Sequence, residues 1–210
     1  MSRIMPEPAE VLALGVLASG RGSNYQSVQD GIDAGEIPAQ IKVVISDKAN
    51  APVLERARKR GIEAVSIPPG AFADKASYEA AVVDILKQHG VELVVLAGYM
   101  RIVGDTVLAA YPMRVINIHP ALLPAFPGLH AQRQALDYGV RVSGCTVHFV
   151  DRGVDTGPVI LQTAVPVEPG DDEDTLAARI LVEEHKLLPK AVRLIAEGRL
   201  YIEGRKVRII

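Results

Sequence analysis

The strongest constraint on the fold is an alternation along the first half of the chain. Short runs of β-branched and aliphatic residues are followed by longer segments of helical periodicity, which is typical of βαβ units. The runs predict strands at 11–18, 41–46, 64–67, 93–98 and 114–119. The segments between them predict helices at 24–34, 51–60, 77–89 and 104–111. Because most runs are apolar on both faces, we expect a Rossmann-like, mostly parallel twisted sheet with helices on both faces.

The second half of the chain follows a different pattern. A proline-rich loop at 120–130 and a short helix at 131–138 come before two extended runs, at 144–150 and 159–167. A polar, glycine-containing turn at 151–158 separates the two runs. This arrangement predicts an antiparallel addition to the sheet in the C-terminal half of the chain.

One domain accounts for nearly the whole sequence. A length of 210 residues with 49% hydrophobic residues suits a single compact core. We divide the chain into an N-terminal tail at 1–10, a main domain at 11–198 and a C-terminal extension at 199–210 that can form a small hairpin. The last predicted helix, 174–197, is expected to be disturbed near Pro189.

Composition excludes several classes of function. A formal net charge of -2 gives no reason to expect binding to nucleic acid or to an anionic membrane. The single cysteine, Cys145, cannot form an internal disulfide and favours a reducing, cytoplasmic location. The histidines have no zinc-ligand spacing, so no metal is expected. The apolar run at 11–20 is better explained by a buried strand than by a signal peptide, because acidic residues and prolines precede it.

A glycine-rich stretch, ASGRGSN at 18–24, follows the first predicted strand and opens the first predicted helix. Glycines let the backbone approach a ligand closely, and the free N–H groups of a helix start favour an anion such as phosphate. The stretch lacks the third glycine of the dinucleotide fingerprint and the Lys-Ser/Thr of a Walker loop. It predicts either a phosphate site or an ordinary strand-to-helix turn. Asp47 follows the second predicted strand, near the position where dinucleotide-binding folds have an acidic residue that binds the ribose. A dinucleotide-binding fold is therefore an alternative.

Two polar side chains interrupt the predicted strand in VINIHPALLP at 115–124. Asn117 and His119 lie on the same face of an extended segment, about 7 Å apart, at the carboxyl end of the strand. Ligands of open α/β sheets bind at these ends, where an amide can stabilise an oxyanion and an imidazole can exchange a proton. The alternative is a structural pair that bonds the backbone and caps the following loop.

Asp155, in the turn at 151–158, is the third candidate. An aspartate flanked by glycines often forms the turn by bonding its own backbone. If Asp155 reaches His119, its carboxylate would raise the pKa of the imidazole and keep a general acid protonated near neutral pH. Cys145 is interpreted as a small buried residue rather than a nucleophile.

These motifs occur together in a recognisable order. The chain carries SGRGSN (19–24), LAGYMRI (96–102), INIHPALLPAFPGLHAQRQAL (116–136) and GVDTGPVI (153–160). In this order and spacing they resemble the folate-dependent phosphoribosylglycinamide formyltransferases of de novo purine synthesis, over about residues 11–198. The resemblance implies a formyltransferase fold and the transfer of a formyl group from 10-formyltetrahydrofolate to the amine of glycinamide ribonucleotide.

The resemblance also implies roles for individual residues of the acceptor site. The backbone of Gly22, Ser23 and Asn24 would hold the 5′-phosphate, and Glu184 would contact the ribose. Both substrates are small molecules, 10-formyltetrahydrofolate serves as co-substrate, and the chain is expected to act as a monomer or a homodimer.

For the folate, the resemblance implies that the pterin lies against the segment Met100, Arg101, Ile102 and Val103 and the turn before Asp155, held largely by main-chain bonds. Asn117 would also contact the folate. Lys75 falls where the family commonly has a basic residue, often arginine, near the glutamate tail. Lysine keeps the charge but lacks the planar guanidinium.

The mechanism expected from the resemblance is direct attack of the acceptor amine on the formyl carbon. Asn117 and a protonated His119 would stabilise the tetrahedral oxyanion, and His119 would donate the proton. Asp155 would raise the pKa of His119.

Several related activities remain as alternatives. A 10-formyltetrahydrofolate deformylase shares the three polar residues but transfers the formyl group to water, and it normally has an N-terminal regulatory domain. Methionyl-tRNA formyltransferase shares the catalytic core but has a C-terminal RNA-binding domain. A nucleotide-binding, Rossmann-type oxidoreductase would account for the glycine-rich stretch and Asp47, but not for Asn117, His119 and Asp155 together.

Overall fold

The structure is a computed structural model that describes residues 11–210, so the predicted tail at 1–10 lies outside the described residues. The strands are β1 (Leu12–Leu17), β2 (Ala39–Ser46), β3 (Glu63–Ser66), β4 (Leu93–Leu96), β5 (Val115–His119), β6 (Val142–Phe149), β7 (Val159–Pro166), β8 (Leu200–Glu203) and β9 (Lys206–Ile209). The helices are α1 (Ser23–Asp33), α2 (Pro52–Lys59), α3 (Lys75–Gln88), α4 (Asp105–Ala110), α5 (Ala131–Tyr138) and α6 (Glu173–Ala196), with one turn of 3-10 helix at Pro69–Ala71.

Seven strands form one sheet in the order β3-β2-β1-β4-β5-β6-β7. The first five strands pair in parallel, and β6 and β7 are antiparallel additions. The predicted fold class, a mostly parallel sheet with an antiparallel C-terminal part, is confirmed. Strand order reverses between β1 and β4, so a crevice opens there outside the carboxyl ends of the strands.

The core lies in two apolar layers, one on each face of the sheet. One layer packs β1, β2 and β4 against α1, α2 and α6, and the other packs the opposite face against α3 and α4. Within β1, Leu14 and Val16 belong to the first layer and Leu17 belongs to the second. Because both faces are covered, most positions of the parallel strands are apolar, and β1 and β4 are apolar along their whole length.

Helix α6 and several element ends differ from the sequence expectations. Strand β2 and helix α3 begin two residues early, at Ala39 and Lys75, and β4 ends two residues early, at Leu96. Helix α6 continues through Pro189 without interruption, because apolar residues on both sides of the proline, including Leu188 and Ala191, are buried in the core. Packing of this kind can outweigh the one backbone hydrogen bond that proline removes. Strand β6 begins at Val142, two residues before the predicted start.

Strands β8 and β9 form a separate two-stranded antiparallel hairpin after α6. Leu200 and Ile202 of this hairpin are buried in the larger core layer. No helix within residues 11–210 is both long and apolar enough to cross a membrane.

Candidate active site

The carboxyl end of β5 brings Asn117 and His119 into the crevice region. Strand β5 pairs with β4 on one side and with β6 on the other, so its position in the sheet is fixed on both edges. His119 is only 4% exposed, while Asn117 is half-buried. A buried imidazole at this place must find partners for its ring nitrogens.

Both ring nitrogens of His119 face acceptors. Its Nε2 donates to the carbonyl oxygen of Phe126 at 2.8 Å, and its Nδ1 lies 3.3 Å from Oδ2 of Asp155. The predicted encounter of Asp155 with His119 therefore occurs. The proline-rich loop is held in place for this contact because Thr146 donates to the carbonyl of Ala121 at 2.6 Å.

Asp155 itself is held in an unusual conformation. Its φ of 55° lies in the left-handed region, and so does the φ of 54° at Phe126, the other residue that contacts His119. The N–H of Gly128 donates to Oδ2 of Asp155 at 2.8 Å. Left-handed backbone at non-glycine residues is uncommon and tends to cluster at functional sites, so its occurrence at both partners of His119 supports a functional role.

His148 joins the same cluster, and sequence reasoning missed it. Cross-strand register pairs His148 of β6 with Asn117 of β5. Its Nε2 lies 3.2 Å from Nδ2 of Asn117 and 3.6 Å from Oδ1 of Asp155, while its Nδ1 donates to the carbonyl of Phe149 at 2.8 Å. That last bond leaves Nε2 as an acceptor in the neutral ring, so His148 orients the Asn117 amide. The 3.6 Å contact is too long for a hydrogen bond.

The electrostatics of the cluster differ in part from the sequence expectation. Burial lowers the pKa of His119, and the raising effects of Asp155 and the Phe126 carbonyl do not overcome it. Asp155 thus acts in the predicted direction, but the net pKa of His119 lies below its ordinary value. Burial would raise the pKa of Asp155, yet hydrogen bonding and the nearby imidazoles hold that pKa below its usual range. The lowered pKa of each group favours an ionised Asp155 and a neutral His119 near pH 7.

The glycine-rich stretch forms the junction of β1 and α1, as predicted. Gly22 stands at the N-cap of α1 with φ 77°, and no side chain caps the helix. A Cβ at Gly22 would lie 2.5 Å from Cγ2 of Val53, so both the backbone conformation and the close packing of α2 require glycine. The first N–H groups of α1, at Ser23 and Asn24, have no partner within the helix and can receive an anion.

Glu184 lies beside this junction. Its Oε2 accepts from Nδ2 of Asn24 at 2.8 Å, and the residue as a whole is only 7% exposed. Burial raises the pKa of Glu184, although the Asn24 bond opposes this effect. The structure thus brings together α6 and the glycine-rich junction, which lie far apart in the sequence.

The segment Met100–Val103 follows β4, directly beside β1 in the sheet. The N–H of Met100 donates to Oγ of Ser19 at 2.9 Å, which ties this segment to the glycine-rich junction. Met100 is 61% and Ile102 62% exposed, which is high for large apolar side chains. These two exposed side chains give the segment an apolar surface, called the apolar wall below, which suits an aromatic ligand.

Lys75, the first residue of α3, lies near this segment. It lines one cavity together with Arg101, Ile102 and Val103. Its Nζ is 3.6 Å from Oε1 of the buried Glu79, and the guanidinium of Arg101 stacks over the ring of Tyr78 at 5.2 Å. The structure therefore groups Lys75 with the predicted folate segment.

Two other residues considered in the sequence analysis, Cys145 and Asp47, lie outside this cluster. Cys145 is fully buried in β6, and burial raises the pKa of its thiol to about 12, so it is not an activated nucleophile. Oδ1 of Asp47 is buried and has no hydrogen-bond partner among the described residues. Residues 11–210 hold no group of three or more His, Cys, Asp or Glu side chains that could bind a metal ion.

The fold is a mixed β-sheet flanked by helices, and the site is an Asn–His–Asp cluster beside a glycine-rich helix start. Together, the fold and the site define the class of protein to which the chain belongs. The sequence profile of the formyl transferase family matches residues 13–192, nearly the whole of the described chain. The fold and the site thus agree in placing the chain among the formyl transferases.

Comparison with individual proteins shows which kind of formyl transferase the chain resembles. The chain is 44% identical to the phosphoribosylglycinamide formyltransferase of Bacillus subtilis, over 85% of this chain and 91% of that protein. It is 55% identical to glycinamide ribonucleotide transformylase 1 from Symbiobacterium toebii, whose crystal structure superimposes with a TM-score of 0.95 over 96% of this chain and 95% of that one. The chain belongs to the phosphoribosylglycinamide formyltransferase family.

A longer relative also matches. The trifunctional purine biosynthetic protein adenosine-3 of Drosophila pseudoobscura is 48% identical over 94% of this chain. The chain spans only 14% of that protein's length, so the similarity concerns one part of it.

Proposed function

We propose that this protein transfers the formyl group of 10-formyltetrahydrofolate to the primary amine of glycinamide ribonucleotide, giving formylglycinamide ribonucleotide and tetrahydrofolate in purine biosynthesis. The observation that carries the proposal is the convergence of Asn117, His119 and Asp155 at the carboxyl edge of the sheet. A cytoplasmic location and a monomeric or homodimeric state remain predictions.

The acceptor's phosphate binds at the start of α1 in this proposal. The N–H groups of Gly22, Ser23 and Asn24 and the helix dipole favour a phosphate there. The ribose then lies towards Glu184, whose buried carboxyl group can accept hydrogen bonds from sugar hydroxyls. The hydrogen bond from Asn24 to Glu184 links the phosphate and sugar subsites.

The folate binds along the apolar wall. Its pterin packs against Met100 to Val103 and is hydrogen-bonded mainly by backbone groups of that segment and of the turn before Asp155. The glutamate tail extends towards Lys75 and Arg101, the two cations of that cavity. Asn117 lies between the two substrates and can donate an amide N–H to the oxygen of the formyl group.

The chemistry requires one proton to move between two nitrogens. The acceptor amine attacks the formyl carbon, a bond forms between them, and the formyl oxygen becomes an oxyanion that Asn117 stabilises. Neutral His119 takes a proton from the attacking amine, Asp155 stabilises the resulting imidazolium, and the same proton passes to N10 of the folate as the C–N10 bond breaks. For this step the ring proton of neutral His119 must lie on Nδ1, donated to Asp155, so that Nε2 leaves Phe126 and is free to accept the amine proton.

Selective binding tests the assignment of the acceptor. Glycinamide ribonucleotide at 100 times its Kd should stabilise the fold by about 2.7 kcal/mol, and NAD should not raise the melting temperature. Stabilisation by NAD alone would contradict the proposal and favour the oxidoreductase alternative. A variant with Ser23→Pro, which removes an N–H group at the first helical position, should bind the ribonucleotide less tightly.

Acceptor dependence separates transfer from hydrolysis. Tetrahydrofolate should form from 10-formyltetrahydrofolate rapidly only when glycinamide ribonucleotide is present. Equal rates with and without the acceptor would instead identify a deformylase.

A further inference from the structure

The C-terminal hairpin contacts the turn that carries Asp155. Arg205, at the tip between β8 and β9, donates from Nη2 to the carbonyl oxygen of Thr156 at 2.6 Å. Thr156 directly follows Asp155 in the chain, so this bond holds the Thr156–Gly157 peptide group, one residue beyond the carboxylate that faces His119. A charged donor on a carbonyl makes a stronger hydrogen bond than a neutral one.

The hairpin that carries Arg205 is packed into the protein core. Leu200 and Ile202 are 1% and 3% exposed and belong to the main core layer. The two ends of the hairpin are joined by a backbone bond from Ile210 to Arg199 and by a side-chain bond from Nε of Arg199 to the carbonyl of Ile210, at 2.9 Å and 2.8 Å. Because its base is packed into the core, the hairpin can restrain the turn at 151–158 and does not simply move with it.

The turn needs such support from outside. Its own hydrogen bonds run from the N–H of Gly153 and the hydroxyl of Thr156 to Oδ1 of Asp151, at 3.1 Å and 2.5 Å. Asp155 has a left-handed φ, a conformation that persists only where surrounding contacts enforce it. On the inner side the N–H of Gly128 holds the carboxylate, and on the outer side Arg205 holds the backbone.

We propose that Arg205 is a positioning residue for the transfer reaction, through which the C-terminal hairpin keeps the Asp155 carboxylate against His119. This inference rests on the proposed function, because the position of the Asp155 carboxylate matters for catalysis only if Asp155 acts in the transfer reaction. Arg205 does not touch the reacting groups. Its loss moves Asp155 without removing any group that binds a substrate.

Three variants test the proposal. Arg205→Ala removes the bond to Thr156, Arg205→Lys keeps a cationic donor, and Arg208→Ala removes an equal charge from the same hairpin. Arg208 pairs with Glu203 at 3.0 Å, within the hairpin, and is therefore a matched control. Arg205→Ala should lower kcat roughly 10-fold with little change in the KM for glycinamide ribonucleotide, because small displacements of catalytic groups can cost up to about 10²-fold. Arg205→Lys should recover part of kcat, and Arg208→Ala should match the unchanged protein.

Two measurements do not depend on turnover. The pKa of His119, measured by NMR, should fall in Arg205→Ala, since the Asp155 carboxylate raises it. The amide hydrogen of Gly128, which bonds to Asp155, should exchange with solvent faster. Both should be unchanged in Arg208→Ala.

The outcomes separate this inference from the proposed function. If the unchanged protein transfers no formyl group, the function fails, and the His119 and Gly128 measurements still show whether Arg205 positions Asp155. If Arg205→Ala keeps its kcat, the His119 pKa and the Gly128 exchange rate, the inference is overturned even where the melting temperature falls. A loss of kcat shared equally by Arg208→Ala would also overturn it, since general loosening of the hairpin would then explain the effect.

Discussion

His119 Nδ1 and Asp155 Oδ2 lie 3.3 Å apart, although one residue ends a strand and the other lies in a turn after the next strand. Their contact joins the parallel part of the sheet to its antiparallel addition. Because His119 is almost fully buried, an ionised carboxylate beside it is the feature that lets the imidazole accept a proton during the reaction.

The first prediction concerns Asp155→Asn. Without the carboxylate the imidazolium is no longer stabilised, so kcat/KM should fall at least about 10²-fold while the fold stays intact. The pKa of His119 should fall further, because burial then acts without its largest opposing influence. Steady-state kinetics and NMR titration measure the two effects. Asp84→Asn, an exposed carboxylate on α3, serves as the control, and an Asp155→Asn protein with unchanged kcat/KM would remove Asp155 from the mechanism.

The second prediction concerns His148, which orients the amide of Asn117. His148→Ala should lower kcat roughly 10-fold through misplacement of that amide. If His148 acts through Asn117, the double variant Asn117→Ala/His148→Ala should be no slower than Asn117→Ala alone. Effects that simply multiply in the double variant would show that His148 acts independently.

The third prediction concerns Gly22→Ala. The new methyl group would meet Val53, and φ would stay in the left-handed region, so the fold should lose about 1–3 kcal/mol of stability. The KM for glycinamide ribonucleotide should also rise, because the helix start would shift. Gly20→Ala is the control for stability, since a Cβ there has no heavy atom within 4 Å. Equal unfolding free energies for the two variants, measured by urea denaturation, would contradict the packing argument.

The fourth prediction concerns Glu184→Gln, which keeps an acceptor for Asn24 but removes a buried carboxyl group. The folded pKa of Glu184 is raised, so its ionisation costs stability above that pKa and costs none below the unfolded value of about 4.3. The variant should therefore melt at a higher temperature than the unchanged protein at pH 7.5, and at the same temperature at pH 4. The KM for the ribonucleotide should rise about 10-fold or more, since a charged acceptor of sugar hydroxyls is lost. A variant that melts lower at pH 7.5 would show that ionised Glu184 stabilises the fold.

The sequence predicts the fold well because its hydrophobic runs are long and regular. The strands that form the centre of the sheet are predictable to within a few residues, since burial on both faces favours apolar residues at most of their positions. The unbroken helix at Pro189 was not predictable, because it depends on tertiary packing of residues on either side.

The site was predictable only in part. Asn117 and His119 are recognisable because polar residues are unexpected in a buried strand. His148 is likewise a polar residue in an apolar run, but its role follows from the β5–β6 register, which the sequence does not display. The net pKa of His119 could not be predicted from the sequence either, because it depends on how deeply the folded chain buries the ring.

The most direct test follows the formyl carbon itself. The protein is mixed with glycinamide ribonucleotide and with 10-formyltetrahydrofolate labelled with carbon-13 in the formyl group, and the products are followed by NMR and mass spectrometry. We predict that the label appears in the amide of formylglycinamide ribonucleotide in a one-to-one ratio with tetrahydrofolate, and that His119→Ala slows this at least about 10²-fold. Label released as formate at the same rate with or without the ribonucleotide would contradict the account.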